Sequence, residues 1–180
     1  SRGLGDVYKR QVASVMLNQP PEAVTGRGAG LSGEGLERKI QVIQKAIALH
    51  KPEREKPLEV LSALGGLDIA AMTGFLLGGA IYRIPVVLDG MISAVAALLA
   101  AALCPNVTDY LLPSHLGKEP ACRLVMDRLG FEPVIHGRLA LGEGTGAVML
   151  FPLLDMAAAV YEENSTFADI KIRAYESFED

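Results

Sequence analysis

Residues 84–90 read Ile-Pro-Val-Val-Leu-Asp-Gly, a short apolar run that ends in a polar turn. A continuous apolar run of this length, rich in β-branched residues, is typical of a strand buried on both faces. The proline stands at the start of the run, where a missing N–H is tolerated. A helical segment, Met91–Leu103, follows directly. The stretch therefore predicts a strand–loop–helix unit.

The same alternation extends in both directions along the chain. Further short apolar strands are predicted at 109–113 and 131–135. Apolar spacing, proline and glycine predict helices at 34–50 with Ser32 as N-cap, at 58–64, at 68–77 with Asp68 as N-cap, at 120–129 and at 147–161. Strands that alternate with helices indicate an α/β fold. We expect a three-layer, Rossmann-like arrangement, with a mostly parallel sheet and helices on both faces, incomplete at the N-terminus.

In open parallel sheets, ligands bind outside the carboxyl ends of the strands. The loops that follow the predicted strands are Asp89-Gly90, Ser114-His115 and the glycine-rich run at 142–146. These three loops are therefore the candidate functional segments on fold grounds.

Composition excludes several classes of function. Half of the residues are hydrophobic and the mean hydropathy is +0.28, but the two main apolar runs, 69–82 and 91–103, are each shorter than the roughly 20 residues of a membrane span. The net charge is −4 and no basic stripe suggests nucleic-acid binding. Two cysteines and three histidines without ligand spacing predict no metal site and no metal cofactor. The start of the chain has no apolar signal region, so a cytoplasmic protein is expected.

The most informative loop reads Gly-Glu-Gly-Thr-Gly at 142–146. Alternating glycines allow close backbone approach and let N–H groups point at an anion. Glu143 has little steric cover there, and apolar neighbours such as Leu139 and Phe151 would favour a carboxylate that works as a general base. A plain glycine loop with an exposed glutamate stays open, and spacing alone favours it.

A dinucleotide-binding interpretation also fits the loop loosely. Gly142, Gly144 and Ala147 match the relaxed Rossmann fingerprint, with an acidic pair at 162–163 about twenty residues on. Glu143 would then lie beside the pyrophosphate, charge against charge. An oxidoreductase domain is therefore kept only as an alternative.

An anion site is also suggested near the N-terminal part of the chain. Residues 25–30, Thr-Gly-Arg-Gly-Ala-Gly, precede a helix start, where free N–H groups and the helix dipole favour phosphate. Lys39 lies one to two turns into that helix, although a solvated lysine is the more common explanation of such a residue. Ser114-His115 does not suggest a hydrolase, because no G-x-S-x-G motif is present.

Taken in order, these segments resemble the successive blocks of the nicotinate-nucleotide–dimethylbenzimidazole phosphoribosyltransferase family. The blocks are Val-Thr-Gly-Arg-Gly-Ala-Gly-Leu at 24–31, Leu-Glu-Arg-Lys-Ile at 36–40, Leu-Gly-Gly-Leu-Asp-Ile-Ala-Ala-Met-Thr-Gly at 64–74, Pro-Val-Val-Leu-Asp-Gly at 85–90, Asp-Tyr-Leu-Leu-Pro-Ser-His at 109–115, Leu-Gly-Glu-Gly-Thr-Gly-Ala at 141–147 and Phe-Pro-Leu-Leu-Asp at 151–155. The block around the glutamate is the most specific.

The resemblance implies a reaction and a set of site residues. This family moves the phosphoribosyl group of nicotinate mononucleotide onto 5,6-dimethylbenzimidazole, for the lower nucleotide loop of cobalamin, without a cofactor. It implies that Glu143 is the catalytic base. It also implies that Gly28, Lys39 and Gly90 lie near the phosphate and that Gly142 and Gly144 contact substrate.

The resemblance also implies that the chain corresponds to the C-terminal part of a longer, homodimeric enzyme. Residues 1–11 show no helical period and look like translated sequencing adapter, so we expect a non-native leader at 1–11 and part of a single phosphoribosyltransferase domain at 12–180. An ordinary disordered terminus is the alternative for 1–11. A truncated chain with no independent activity is a further alternative.

Overall fold

The computed structural model describes residues 2–27, 30–137, 139, 142–166 and 169–173, with side chains from residue 6 onward. Within them, eight α-helices, two β-strands and one 3₁₀ helix follow one another along the chain. They are α1 Arg2–Leu17, α2 Pro21–Val24, α3 Gly33–His50, α4 Pro57–Leu64, α5 Leu67–Ile81, β1 Val86–Leu88, α6 Met91–Leu103, the 3₁₀ helix Pro105–Tyr110, β2 Leu111–Pro113, α7 Pro120–Leu129 and α8 Thr145–Glu163.

The two strands form a small parallel sheet, with Val86 opposite Leu111 and Leu88 opposite Pro113. Helix α6 and the 3₁₀ helix form the crossover between them, as a parallel pair requires. The expected α/β fold with a parallel sheet is therefore confirmed.

The predicted third strand at 131–135 is wrong over most of its length. Only Ile135 pairs, in a parallel bridge with His115. The Phe131 N–H instead donates to Met126 O at the end of α7, 2.9 Å away, and Pro133 has no N–H to donate. Too few donors therefore remain for a ladder.

Helix α6 forms the centre of the core. Its residues from Ala94 to Ala100 are all at most 5% exposed, and five of these seven are alanine or valine. Small side chains let α5 and α7 pack closely against it. Because α6 starts directly after β1, its burial fixes the position of Asp89 and Gly90.

Most of the segment at 1–11 is helical, although its sequence shows no helical period. Helix α1 begins at Arg2, and the side chain of Arg10 is fully buried. Apolar residues at Val12, Ala13 and Met16 bury the helix. Its cations Lys9 and Arg10 are paired with Asp6 in the same helix and with the distant Glu119. That the segment is non-native stays a prediction, as does the single-domain boundary at residue 12.

The helix termini were predicted with mixed success. The Ser32 side chain accepts a hydrogen bond from the Gly35 N–H, 3.1 Å away, so this predicted N-cap is confirmed. Helix α5 instead takes Gly66 as its N-cap and runs on to Ile81. Asp68 lies in its first turn and accepts a hydrogen bond from the adjacent Ile69 N–H.

Helix α8 is apolar but mostly exposed. Judged by length and composition alone, it could cross a membrane, and only 11% of its most apolar window is buried. The helix packs against β1, and its two buried residues, Gly146 and Leu150, lie in its N-terminal part. The expectation that the protein does not contact a membrane stays a prediction.

Candidate active site

The three loops singled out from the sequence meet at the carboxyl ends of β1 and β2. The Asp89 carboxylate follows β1 and accepts three backbone hydrogen bonds from the start of α8. Oδ1 accepts from the N–H groups of Gly146 and Ala147, at 2.8 and 3.2 Å. Oδ2 accepts from the Gly144 N–H at 3.1 Å. Asp89 therefore joins the glycine-rich loop to the sheet.

Elementary helix physics explains this arrangement. The first N–H groups of a helix have no partner within the helix, and the helix dipole favours a negative charge there. The N-cap of α8 is Gly144, which has no side chain to accept these hydrogen bonds. Asp89 supplies the missing cap from another element, and a cap of this kind contributes about 1 kcal/mol.

Ser114 and His115 support the same corner from β2. The Ser114 hydroxyl donates to Asp89 O at 3.0 Å, and its Oγ lies 3.0 Å from Nδ1 of His115. The single hydrogen of the Ser114 hydroxyl is already donated to Asp89 O, so in the second contact Ser114 Oγ accepts from the Nδ1–H of His115. Both side chains are buried, at 1% and 6% exposure. The pair is thus structural and is not arranged as a nucleophile and its base.

Glu143 lies in an unusual backbone conformation. Its φ is +58°, between Gly142 at +75° and Gly144 at +81°. A non-glycine residue in this region costs on the order of 1 kcal/mol and persists only where its surroundings fix it. At Glu143, the next peptide N–H, that of Gly144, is held by a hydrogen bond to Asp89. The strained glutamate marks the loop as a functional candidate.

The expected apolar cover around Glu143 is not formed in this chain. Glu143 itself is exposed, as are Val148 and Phe151, at 64% and 51%. Leu139 is half-buried, and Leu141 lies outside the described residues. Phe151 lies nearly two turns into α8, and this helix exposes most of its surface to solvent.

Lys39 belongs to a second group, which we call the ionic cluster: Asp6, Lys9, Arg10, Lys39 and Glu119. The Lys39 ammonium is buried and binds Asp6 at 2.6 Å. Burial alone would raise the pKa of Asp6, but hydrogen bonds from Lys39, Lys9 and Arg10 outweigh it and hold that pKa well below its usual range. Nε of Arg10 is buried without a hydrogen-bond partner among the described residues. Three cations thus face two carboxylates.

The ionic cluster connects to the glycine-rich loop through one short segment. Glu119 binds Lys9 and Arg10 at 2.7 and 2.5 Å, and it lies four residues after His115. Gly117, between them, packs against both Cys122 and His115. The Lys39 region and the Glu143 region are therefore held by the same stretch of chain.

The remaining predicted site residues are placed as follows. Gly90 is the N-cap of α6, in an extended conformation, and its N–H donates to Ser93 Oγ at 3.1 Å. The Gly144 N–H does face an anion, but this anion is the carboxylate of Asp89. Gly28 lies outside the described residues. Gly90 directly follows Asp89, whose carboxylate binds the Gly144 N–H. Gly90 therefore lies close to the loop at 142–144.

Sequence reasoning missed Asp89 and Glu119 as structural partners. A carboxylate directly after a strand, together with a helix whose N-cap is glycine, was the available signal for Asp89. Glu119 gave no local signal, because its partners lie more than 100 positions away. Within the described part of the chain, no group of His, Cys, Asp and Glu side chains could hold a metal ion.

The chain resembles known proteins over most of its length. A family model described as phosphoribosyltransferase matches residues 10–172. The chain belongs to this phosphoribosyltransferase family. The matched region includes Asp89, Glu143 and the whole core, and it also reaches Arg10 in α1.

Curated relatives carry a more specific name. The chain is 47% identical over 164 residues to the nicotinate-nucleotide–dimethylbenzimidazole phosphoribosyltransferase of Clostridium acetobutylicum, covering 91% of this chain and 47% of that one. It is 45% identical over 168 residues to the protein of the same name from Ruminiclostridium cellulolyticum, covering 93% and 48%. The chain thus spans about half the length of the relatives that it matches.

Solved structures show the same fold. The crystal structure of CobT from Thermus thermophilus superimposes with a TM-score of 0.87 at 39% identity, over 94% of this phosphoribosyltransferase chain and 50% of that one. A second structure, of the nicotinate-nucleotide–dimethylbenzimidazole phosphoribosyltransferase from the same organism, gives a TM-score of 0.84 at 37% identity over 95% and 50%.

Proposed function

We propose that an enzyme containing this chain transfers the phosphoribosyl group of nicotinate mononucleotide to 5,6-dimethylbenzimidazole. The products are α-ribazole 5′-phosphate and nicotinate, and the reaction serves assembly of the cobalamin nucleotide loop. The observation that carries the proposal is Glu143, a strained, accessible carboxylate on a loop fixed to the carboxyl end of β1. The names of the relatives supply the two substrates.

The proposed chemistry needs one base and no cofactor. The Glu143 carboxylate takes the N–H proton of the benzimidazole, whose other ring nitrogen attacks C1′ of the ribose. The glycosidic bond to nicotinate breaks, and its electron pair leaves with the nicotinate nitrogen. The anomeric centre inverts, because attack and departure occur on opposite faces. A general base in this role contributes roughly 10²–10⁴ in rate.

The 5′-phosphate is assigned to the region of Lys39, Gly28 and Gly90, with Gly142 and Gly144 against the nucleotide. The ionic cluster supports the first assignment, since Lys39 already holds a carboxylate oxygen at 2.6 Å. In the 180-residue chain, a phosphate in that position would compete with Asp6 for the same ammonium group. An active enzyme of this kind is proposed to be a cytoplasmic homodimer that binds neither nucleic acid nor membrane.

The oxidoreductase alternative is not favoured. A dinucleotide-binding loop needs free N–H groups for the pyrophosphate. Here Asp89 occupies the N–H groups of Gly144 and Gly146, and its negative charge would repel a pyrophosphate. The fingerprint loop of a dinucleotide-binding domain also follows directly after a strand. Among the described residues between α7 and this loop, Ile135 forms only an isolated bridge and no strand is present.

Calorimetry tests the proposal. The protein to use is a full-length chimera, in which the N-terminal half of the Clostridium acetobutylicum relative precedes this chain from residue 12, beside the 180-residue chain alone. We expect nicotinate mononucleotide to bind the chimera and NAD to bind no better. Tight NAD binding that is lost in Gly144→Val would contradict the proposal. If only the chimera forms α-ribazole 5′-phosphate, the 180-residue chain has no independent activity.

A further inference from the structure

We propose that Asp89 positions Glu143 for proton transfer, through the hydrogen bond that its Oδ2 accepts from the Gly144 N–H. This inference rests on the proposed function, in which Glu143 is the base. Asp89 is a positioning residue and not a second base, because hydrogen bonds from N–H groups engage both of its carboxylate oxygens.

The two oxygens of Asp89 have separate tasks. Oδ1 binds Gly146 and Ala147, which belong to the first turn of α8. Oδ2 binds Gly144, whose N–H belongs to the peptide unit formed with Glu143. The first oxygen therefore fixes the helix, and the second fixes the orientation of the peptide that leaves Glu143.

That peptide determines where the Glu143 side chain points. Glu143 and its two glycine neighbours all have positive φ, a region that a glutamate leaves readily if its surroundings allow. Two further hydrogen bonds of the loop are local, from the Thr145 N–H and hydroxyl to Gly142 O at 3.1 and 2.7 Å. Asp89 connects this loop to the end of β1. A base displaced by about 1 Å can lose on the order of 10² in rate.

The substitution Asp89→Asn separates the two tasks. Asparagine retains one oxygen, which can keep the bonds to Gly146 and Ala147. Its amide nitrogen then faces the Gly144 N–H, donor against donor, so the bond beside Glu143 is lost. We expect α8 to remain folded while the peptide after Glu143 loses its fixed orientation. Asp127→Asn is the matched control, since Asp127 pairs with Arg123 on an exposed face of α7.

A double-mutant cycle tests the coupling between the two residues in the full-length chimera. The four proteins are wild type, Asp89→Asn, Glu143→Gln and the double variant, with a thermal melt of each. We expect Asp89→Asn to lower kcat roughly 10- to 100-fold with little change in the KM for nicotinate mononucleotide. In the Glu143→Gln background the same change should lower kcat less than about 3-fold, because no base remains to be positioned.

The outcomes separate this inference from the proposed function. An equal fold-loss from Asp89→Asn in both backgrounds, or wild-type kcat in a folded Asp89→Asn enzyme, overturns the positioning role while Glu143 remains the base. A rise in KM with unchanged kcat also overturns it, because Asp89 would then act on substrate binding. Near wild-type kcat in Glu143→Gln overturns the proposed base itself, and the positioning role with it.

Discussion

A Cβ atom on residue 146 would overlap with Nδ1 of His115, so the first turn of α8 rests directly on the imidazole ring. No side chain fits in that space. Gly146 is therefore needed for close approach, at the point where the loops after β1 and β2 meet. His115, Ser114 and Asp89 together fix where α8 begins, and Glu143 precedes that start by two residues.

Gly146→Ala should destabilise the chain by on the order of 1–3 kcal/mol, because the added methyl must displace either α8 or the buried His115 ring. In the full-length chimera, Gly146→Ala should also lower turnover at least 10-fold, because the Glu143 loop moves with α8 and the base is displaced.

Gly74→Ala is the matched control. Gly74 is helical and exposed, and a Cβ there meets nothing within 4 Å. It should stabilise α5 by about 0.5–1 kcal/mol. Chemical denaturation measures both, and equal effects would contradict the packing described for Gly146.

The two cysteines should differ sharply in reactivity. Burial raises the pKa of the Cys122 thiol to about 11, and the nearby Glu119 carboxylate adds to the shift, whereas Cys104 is exposed. The thiolate is the reactive form, so at about pH 8 a thiol reagent should modify Cys104 rapidly and Cys122 only after unfolding. Because the raised pKa favours the neutral thiol, the stability from Cys122 is present below about pH 9 and is lost as pH rises through about 11. Rapid modification of Cys122 in folded Cys104→Ser protein would contradict this burial.

Asp6 should make the chain sensitive to acid. Its pKa is lowered in the folded state, so its contribution to stability is present above the unfolded pKa of about 4 and is lost as pH falls toward the lowered folded pKa. Asp6→Asn should therefore reduce stability at about pH 7 and flatten its decline between about pH 5 and pH 2. Glu53→Gln is the control, because Glu53 pairs with Lys56 on the surface, where both side chains are more than half exposed. Urea midpoints across this pH range give the comparison. An unchanged pH profile in Asp6→Asn would contradict the role assigned to the ionic cluster.

Removal of Asp6 should also open the proposed phosphate position. In Asp6→Ala, three cations of the ionic cluster face only Glu119. Inorganic phosphate should then raise the melting temperature of Asp6→Ala more than that of the wild type, by preferential binding to the folded state. The difference should vanish in the Asp6→Ala/Lys39→Ala protein. An equal phosphate effect with and without Lys39 would remove this residue from the proposed site.

Local sequence patterns predicted many of the helices and strands. They failed where contacts with residues distant in the sequence determine the structure. Helix α3 followed from its apolar spacing and its Ser32 cap, and β1 from a run of apolar residues. The strand at 131–135 failed because Pro133 and the end of α7 remove donors, which an apolar pattern does not reveal. Helix α1 was missed because its cations are neutralised partly by Glu119, which is 109 and 110 positions from Arg10 and Lys9.

In the candidate site, too, the sequence predicted local features but not contacts between distant residues. The three loops were predicted as functional segments because ligands bind outside the carboxyl ends of parallel strands. The structure brings these loops together at that edge of the sheet. Asp89 was part of one of these loops, but its three hydrogen bonds depend on how α8 is placed in space. The apolar cover expected for Glu143 depends on surfaces outside its own loop, and Val148 and Phe151 alone do not provide it.

Turnover of the Glu143→Gln chimera is the measurement that tests the central claim most directly. Glutamine keeps the size and hydrogen bonding of glutamate but cannot accept the benzimidazole proton. With both substrates saturating, formation of α-ribazole 5′-phosphate should fall on the order of 10²–10⁴-fold, while the melting temperature and the affinity for nicotinate mononucleotide change little. A folded Glu143→Gln enzyme that turns over at close to the wild-type rate would contradict the assignment of Glu143 as the base.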